Sequence, residues 1–419
     1  MKYGDESPDL GYKATNSLTL NEGTIQNSET VNADLTLPSP GATGSLSANK
    51  DLVIDWVSPT ITNITSTTAN GIYGIGDVIV IETTFSEDLV YLGDHRVYFE
   101  IGENDAFSGN ATLTGNKVTV SYTVEAGHQS NDLTVESVWS AETHDAAVNL
   151  IDGRVPNGKN LSDNKDIVID GVIPTISSID LSEDNAFVDI TFSESVFNTE
   201  EGIGALALDA FDLSLSGGTA HTPEVTSVST TAGEGLAGGE ITVRVNFSTT
   251  GTADGSETLQ VDLVATAVYD VAGNAADADQ TANNTVTLND KALPTISSLS
   301  LASNNSYVDV TFSEAVYGDT NGALETGDFI LLLSGGTATS PVVTSVSTTA
   351  GEGLSGGETT VRVNFSTTGT GDGTETLEVD LAAAAVSDAV GNEADADQTS
   401  NNTVTLIDLI PNVTNVTSS

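Results

Sequence analysis

Apolar and polar residues alternate with a period of two along most of this chain. In the segment Phe187 to Phe192, Val188, Ile190 and Phe192 fall on one face while Asp189 and Thr191 take the other. Ile241, Val243, Val245 and Phe247 form a second such face, with Arg244 and Asn246 outside it, and Leu259, Val261 and Leu263 a third; Val286 and Leu288 continue the pattern. Farther on the same alternation returns with Val308, Val310 and Phe312, then Val361, Val363 and Phe365, then Leu377, Val379 and Leu381. Such runs, broken by Gly, Asn, Asp and Ser every few residues, predict half-buried antiparallel strands packed as two-sheet sandwiches. No long stretch carries helical spacing. The fold class expected is all-β.

The strands recur as blocks. The phrase Pro174 to Ile179 returns as Pro294 to Leu299, Val225 to Leu236 as Val343 to Leu354, and Asn283 to Leu288 as Asn401 to Leu406. An earlier opening, Pro59 to Ile64, and the echo of Asp51 to Asp55 in Asp166 to Asp170 mark one more unit. Self-similarity at this period indicates tandem modules. The expected units are 59–173, 174–293 and 294–410, the last a near-copy of its predecessor. Residues 1–58 read as the C-terminal half of another domain and 411–419 as the first strand of a further one. The chain then reads as an internal piece of a longer polypeptide. An alternative is a filament subunit that assembles head-to-tail on other copies of itself, residues 411–419 completing a neighbour's open sheet by strand addition.

Charge changes the picture more than composition does. The 419 residues hold 60 acidic and 11 basic side chains, a formal net charge of −49. With no basic stripe to follow a phosphate backbone, nucleic-acid binding is excluded. No stretch approaches the roughly 20 apolar residues of a membrane span, so insertion into a membrane is not expected. Self-repulsion on this scale destabilises a compact chain unless cations offset it. Cysteine is absent, which rules out disulfide bracing.

The candidate chemistry is therefore metal binding. Asp270, Gly273, Asn274, Asp277 and Asp279 are matched by Asp388, Gly391, Asn392, Asp395 and Asp397. Glycine permits a tight turn, and carboxylate and amide oxygens are the hard ligands that Ca²⁺ takes six to eight at a time. If the segment is extended, Asp277 and Asp279 point the same way and could face one cation. Glu194 and Glu314, at the ends of Thr-Phe-Ser-Glu strands, complete the sites if the sandwich brings them close. A second location is the junctions, where Asp55, Asp170, Asp290 and Asp408 each precede the next opening proline. Ordinary solvated Asx turns would use the same residues.

Other motifs fall away. Gly233 to Gly238 and Gly351 to Gly356 fit G-x-G-x-x-G by letter, but a strand follows where a dinucleotide loop needs a helix, and the embedded Glu would repel a pyrophosphate. His95, His128, His144 and His221 lack metal-ligand spacing, and no nucleophile elbow occurs. No enzyme is expected.

The phrases Thr191 to Glu194, Thr311 to Glu314 and Thr84 to Glu87, together with Asp270 to Asn274, Asp388 to Asn392, Tyr73 to Asp77 and Ala48 to Asp55, resemble the tandem bacterial Ig-like repeat domains of giant secreted surface proteins and adhesins, including those of gliding bacteria. The resemblance covers essentially the whole chain. It implies immunoglobulin-like sandwiches strung as an elongated rod, export to the cell surface, and a spacer or stalk role in which calcium stiffens the hinges between neighbouring repeats. The loop His144 to Asn149 departs from the pattern, because Val148 stands at the glycine position; this counts against a metal site there. A direct polysaccharide- or surface-binding module is the other reading. Its exposed aromatics would have to come from Tyr91 and Tyr98, since Trp56 sits at a junction and Trp139 is expected to pack in or near a core.

Overall fold

The computed structural model describes residues 2, 4–102, 106–107 and 109–410; the segment 411–419, on which the strand-exchange reading falls, lies outside them. Regular structure is almost entirely β. Before residue 59 a short pair, Glu6–Ser7 with Ile54–Asp55, and one helical turn, Leu46–Asn49, stand in otherwise irregular chain. From there on the chain forms tandem β-sandwiches around three hydrophobic cores.

In the first sandwich one sheet sets Ile61–Ser66, Val78–Phe85, Lys117–Thr123 and Gly109–Thr114 side by side; the facing sheet sets Thr134–Ser140, His95–Glu100 and Ala106–Phe107. A small third sheet carries Gln129–Ser130, Ile167–Asp170 and Gly71–Tyr73, the last two running parallel. The second sandwich orders Ile176–Leu181, Phe187–Val196, Glu240–Thr250 and His221–Ser229 in one sheet and Phe211–Ser216, Thr258–Leu263 and Thr285–Thr287 in the other. The third repeats it strand for strand, from Ile296–Leu301 to Thr403–Thr405.

The alternation buries what it should. Val188, Ile190, Phe192, Val243, Val245, Phe247, Leu259, Val261 and Leu263 all enter the second core, each contributing about 1.5–3 kcal/mol by leaving water. Ile241 is the exception and is exposed. Pairing between Phe187–Val196 and Glu240–Thr250 loses register between Thr191 and Val196, so Ile241 lies where the sheet splays. On the outer face the guanidinium of Arg244 donates to both carboxylate oxygens of Asp189 at 2.8 Å and lies 3.6 Å over the Phe187 ring. Arg362, Asp309 and Tyr307 repeat that arrangement in the third sandwich.

Trp139 does not pack in the core. A bulge between Val135 and Ser137 shifts the register against His95–Glu100, which turns Val138 inward and leaves Trp139 46% exposed on the outer face.

Each of the two similar sandwiches also holds a fully buried glutamate that the alternation does not single out. Glu375 accepts backbone N–H bonds from Thr337, Ala338, Asp372 and Gly373 at 2.8 to 3.2 Å. Glu257 accepts them from Thr219, Ala220 and Asp254. The carboxylate ties a Gly-Gly turn to the loop ahead of the neighbouring strand. Burial alone would raise the Glu375 pKa, but the converging donors hold it at about 2.

Candidate metal centres at the junctions

Three side chains meet at each of three successive boundaries among the described residues; the boundary after Asp408 runs outside them. One is the aspartate that ends a unit. Asp170 closes the strand Ile167–Asp170, and its Oδ1 accepts the Val172 N–H at 3.3 Å. Asp55 and Asp290 do the same with Val57 at 3.0 Å and Ala292 at 2.9 Å. The second is the glutamate after the Thr-Phe-Ser run. Glu194 and Glu314 lie near the ends of Phe187–Val196 and Tyr307–Val316, and Glu87 follows Val78–Phe85.

The third is an aspartate buried at the start of a tight loop. Oδ1 of Asp270 accepts the N–H groups of Ala272 at 2.8 Å and Asn274 at 2.9 Å, while the Asn274 amide donates to Oδ2 at 2.7 Å. Asp388 is held alike by Val390, Gly391 and Asn392, and Asp145 by Ala147 and Asn149. The loop needs a left-handed residue one position before the asparagine. Gly273 and Gly391 supply it with φ of 84° and 95°, and Val148 adopts it with φ of 70°. The departure at Val148 therefore leaves the loop's shape intact.

Carboxylate oxygens of Asp55, Glu87 and Asp145 all lie within 4.8 Å of one another; so do those of Asp170, Glu194 and Asp270, and those of Asp290, Glu314 and Asp388. The two candidate locations, loop and junction, are thus one place. At an effective dielectric of 20, two unit charges 4.8 Å apart repel by about 3.5 kcal/mol. Burial, then the charges of Asp170 and Asp270, push Glu194 up to about 7. Burial, then Asp290, Asp388 and Asp254, do the same to Glu314. Glu87 is raised by burial and by Asp55, Asp145 and Glu6. Burial also raises Asp270 and Asp290, against the hydrogen bonds that favour their charged forms. Either a proton or a cation relieves this crowding.

The donor set fits Ca²⁺. Oδ1 of the loop aspartate is taken by backbone N–H groups. The remaining carboxylate oxygens are hard ligands in irregular geometry that, with water to complete the shell, suit calcium better than the strict octahedron of Mg²⁺.

The remaining sequence candidates have other places. Asn274 and Asn392 brace rather than ligate. The Asn274 amide also donates to the Asp170 carbonyl at 2.7 Å, and its Oδ1 accepts the N–H of Ile75 at 2.7 Å. Asn392 reaches the Asp290 carbonyl at 3.2 Å. Asp277 and Asp279 do not join the cluster; they are exposed in a turn in which the Asp279 N–H donates to Asp277. Asp395 and Asp397 repeat that turn. Glu87, Asp55 and Asp145, absent from the ligand set read from the loops, form the first cluster. Their signal was positional: each recurs at the same step of its own unit.

No protein-family model matches the chain, and no curated protein matches it. Among solved structures it is similar to the S-layer protein rSbsC(31-844), with 14% identity and a TM-score of 0.18 over 78% of this chain and 53% of that one. It is also similar to domains 1–6 of the surface layer protein SbsC, with 13% identity and a TM-score of 0.17 over 84% of this chain and 63% of that one. The chain thus spans between about half and under two thirds of those structures' length, and likeness at this level carries no functional argument.

Proposed function

We propose that this chain is a spacer segment of an extracellular bacterial stalk, a row of β-sandwiches whose junctions are braced by Ca²⁺. The observation that supports the reading is the recurrence of one three-carboxylate arrangement at three successive boundaries, each built from one residue of the preceding segment and two of the unit that follows. A charge cluster that recurs at boundaries and, among the described residues, nowhere inside the cores belongs to the connection between units. A cation shared across a boundary holds two units at a fixed angle, which is the property a stalk needs. Its partners are then the neighbouring repeats of the same long chain, and its place is the cell surface. Catalysis has no part in the reading, since near-identical modules in series supply length.

Thermal melts in excess Ca²⁺ and in EDTA, with NaCl at matched ionic strength, test it. A rise in melting temperature specific to Ca²⁺, together with a narrower distribution of lengths in small-angle scattering, is the expected result. Identical melts and identical scattering would overturn the braced stalk.

A second reading has one observation in its favour. Trp139 stands on an outer sheet face with the Arg96 guanidinium 5.6 Å from its ring centre, and an exposed indole is a platform on which a sugar ring stacks. Polysaccharide retention by the chain that is lost in Trp139→Ala would support direct binding; equal retention by both would remove it.

A further inference from the structure

The strand His95–Glu100 opens with a histidine where the corresponding strands of the other two sandwiches, Phe211–Ser216 and Phe329–Ser334, open with phenylalanine. All three positions are buried, at 5%, 5% and 4% exposure. An aromatic ring is required there, yet only in the first sandwich does it carry nitrogen. Among the described residues, neither Nδ1 nor Nε2 of His95 has a hydrogen-bond partner, and Oγ1 of Thr83, buried in the facing sheet, has none either. The ring meets the edge of Phe85 at 6.5 Å between centres.

We propose that His95 is an acid switch, whose protonation selectively weakens the folding of the 59–173 sandwich and not of the two sandwiches that follow it. Among the described residues, nothing in the surrounding core accepts the proton's charge. The strand Val78–Phe85 turns Ile79, Ile81, Thr83 and Phe85 inward, and the strand Thr134–Ser140 turns Val135 and Val138 inward, with Ser140 opposite His95. Lys117–Thr123 contributes Val118, Val120 and Tyr122, whose phenol is engaged by His128. Outside the core, Lys117 pairs with Glu82 and Arg96 with Asp94. Burial pushes His95 down to about 4 from 6.5 and outweighs Asp94, the one charge among the described residues that acts on the imidazole. A folded pKa below the unfolded one means that the unfolded state binds more protons. Stability is then whole above pH 6.5 and is lost as pH falls through 6.5 toward 4. Between pH 7 and pH 5 the folding equilibrium of this sandwich should weaken about 20-fold through His95 alone.

The test uses the full chain in EDTA, so that cation release does not contribute. With Trp56 replaced by Phe, Trp139 is the only tryptophan left, and its fluorescence reports the first sandwich. Urea titrations followed by fluorescence, and by hydrogen exchange for residues 174–410, are run at pH 7 and pH 5 with and without His95→Phe. The expected result is a lower midpoint for the first sandwich at pH 5, no loss of protection beyond it, where the raised carboxyls of Glu194 and Glu314 add stability on acidification, and no fall in the midpoint in His95→Phe. The same loss in His95→Phe would overturn the proposal. Should that variant fail to fold, the His95 ring resonance decides: titration near 6.5 in the folded chain overturns the switch, and titration near 4 supports it.

Discussion

The side-chain oxygen of Asn274 accepts a 2.7 Å hydrogen bond from the backbone N–H of Ile75, 199 residues earlier in the chain. The amide nitrogen of the same side chain holds the carbonyl of Asp170 and the carboxylate of Asp270. One asparagine therefore joins the turn Gly74 to Asp77 of the first sandwich, the connecting segment and the metal-candidate loop of the second. Asn392 makes the last two of these bonds at the next junction, the first of them longer. Shape and charge are coupled here, because the groups that position Asp270 also fix the angle between two units.

Replacing Asn274 by Ala should loosen the 170 junction more than Asn392→Ala loosens the 290 junction. Each lost bond at a buried, partly charged site is worth about 1–3 kcal/mol, and Asn274 has one more neighbour to lose. Hydrogen exchange at Ile75 and Val172, compared with the corresponding amides at the next junction, checks the ordering. Equal protection in the two variants would contradict it.

Calcium removal should act on the junctions one at a time. Extracellular calcium modules bind at about 10⁻⁴–10⁻³ M; at roughly 10 mM free cation each occupied site adds about 1.4–2.7 kcal/mol. Glu194→Gln should abolish one binding event in calorimetry and leave the sites built on Glu87 and Glu314 intact. Asp279→Asn, in the exposed turn, should change nothing. Loss of binding in Asp279→Asn would move the site back to the loop.

How much of this was legible beforehand depended on whether the chemistry was local. Period-two alternation placed Val188, Ile190 and Phe192 correctly because a strand's pleat is decided by its own residues. Trp139 went astray because one bulge, invisible to alternation, inverts every side chain beyond it. Asp170, Glu194 and Asp270 could each be picked out singly by residue type and repetition. That Glu194 meets Asp270 was expected if the sandwich closed on them; that Asp170 joins them could not be read, since only the docking of one unit on the next brings it there. Asp277 and Asp279 were grouped on the premise of an extended segment, and an Asx turn replaces it. Asp145 was discounted because valine rarely takes a left-handed backbone; the hydrogen bonds that close on its carboxylate hold it there.

Glu375 makes acid sensitivity a property of the third sandwich with the same sign as His95 but in a lower pH window. Its folded pKa, about 2, lies below the ordinary glutamate value of 4.5, so the carboxylate's contribution is fully present above pH 4.5 and is lost as pH falls toward 2. Glu375→Gln replaces one acceptor by a donor that faces the N–H groups of Thr337, Ala338 and Asp372. It should cost about 2–4 kcal/mol at pH 7 and flatten the loss between pH 4.5 and 2. Chemical denaturation at pH 7, 4 and 2.5 measures both effects.

The left-handed position ahead of the asparagine offers a comparison between two glycines of equal conformation and unequal surroundings. Gly273 and Gly391 have φ of 84° and 95°, so alanine at either pays about 1–2 kcal/mol for its backbone. A side chain at Gly391 would meet nothing within 4 Å, whereas one at Gly273 runs into the carbonyl oxygen of Glu200. Gly273→Ala must therefore displace the Asn198 to Gly204 loop or the metal-candidate loop itself, and Gly391→Ala need move neither. The expected outcome is a modest fall in melting temperature for Gly391→Ala with calcium affinity retained. For Gly273→Ala a larger fall is expected, with affinity at the Asp170 site reduced, because Asp270 is held by the same turn. If both variants behave alike, the backbone conformation alone governs the loop, and the packing against Glu200 has no share in positioning the carboxylate.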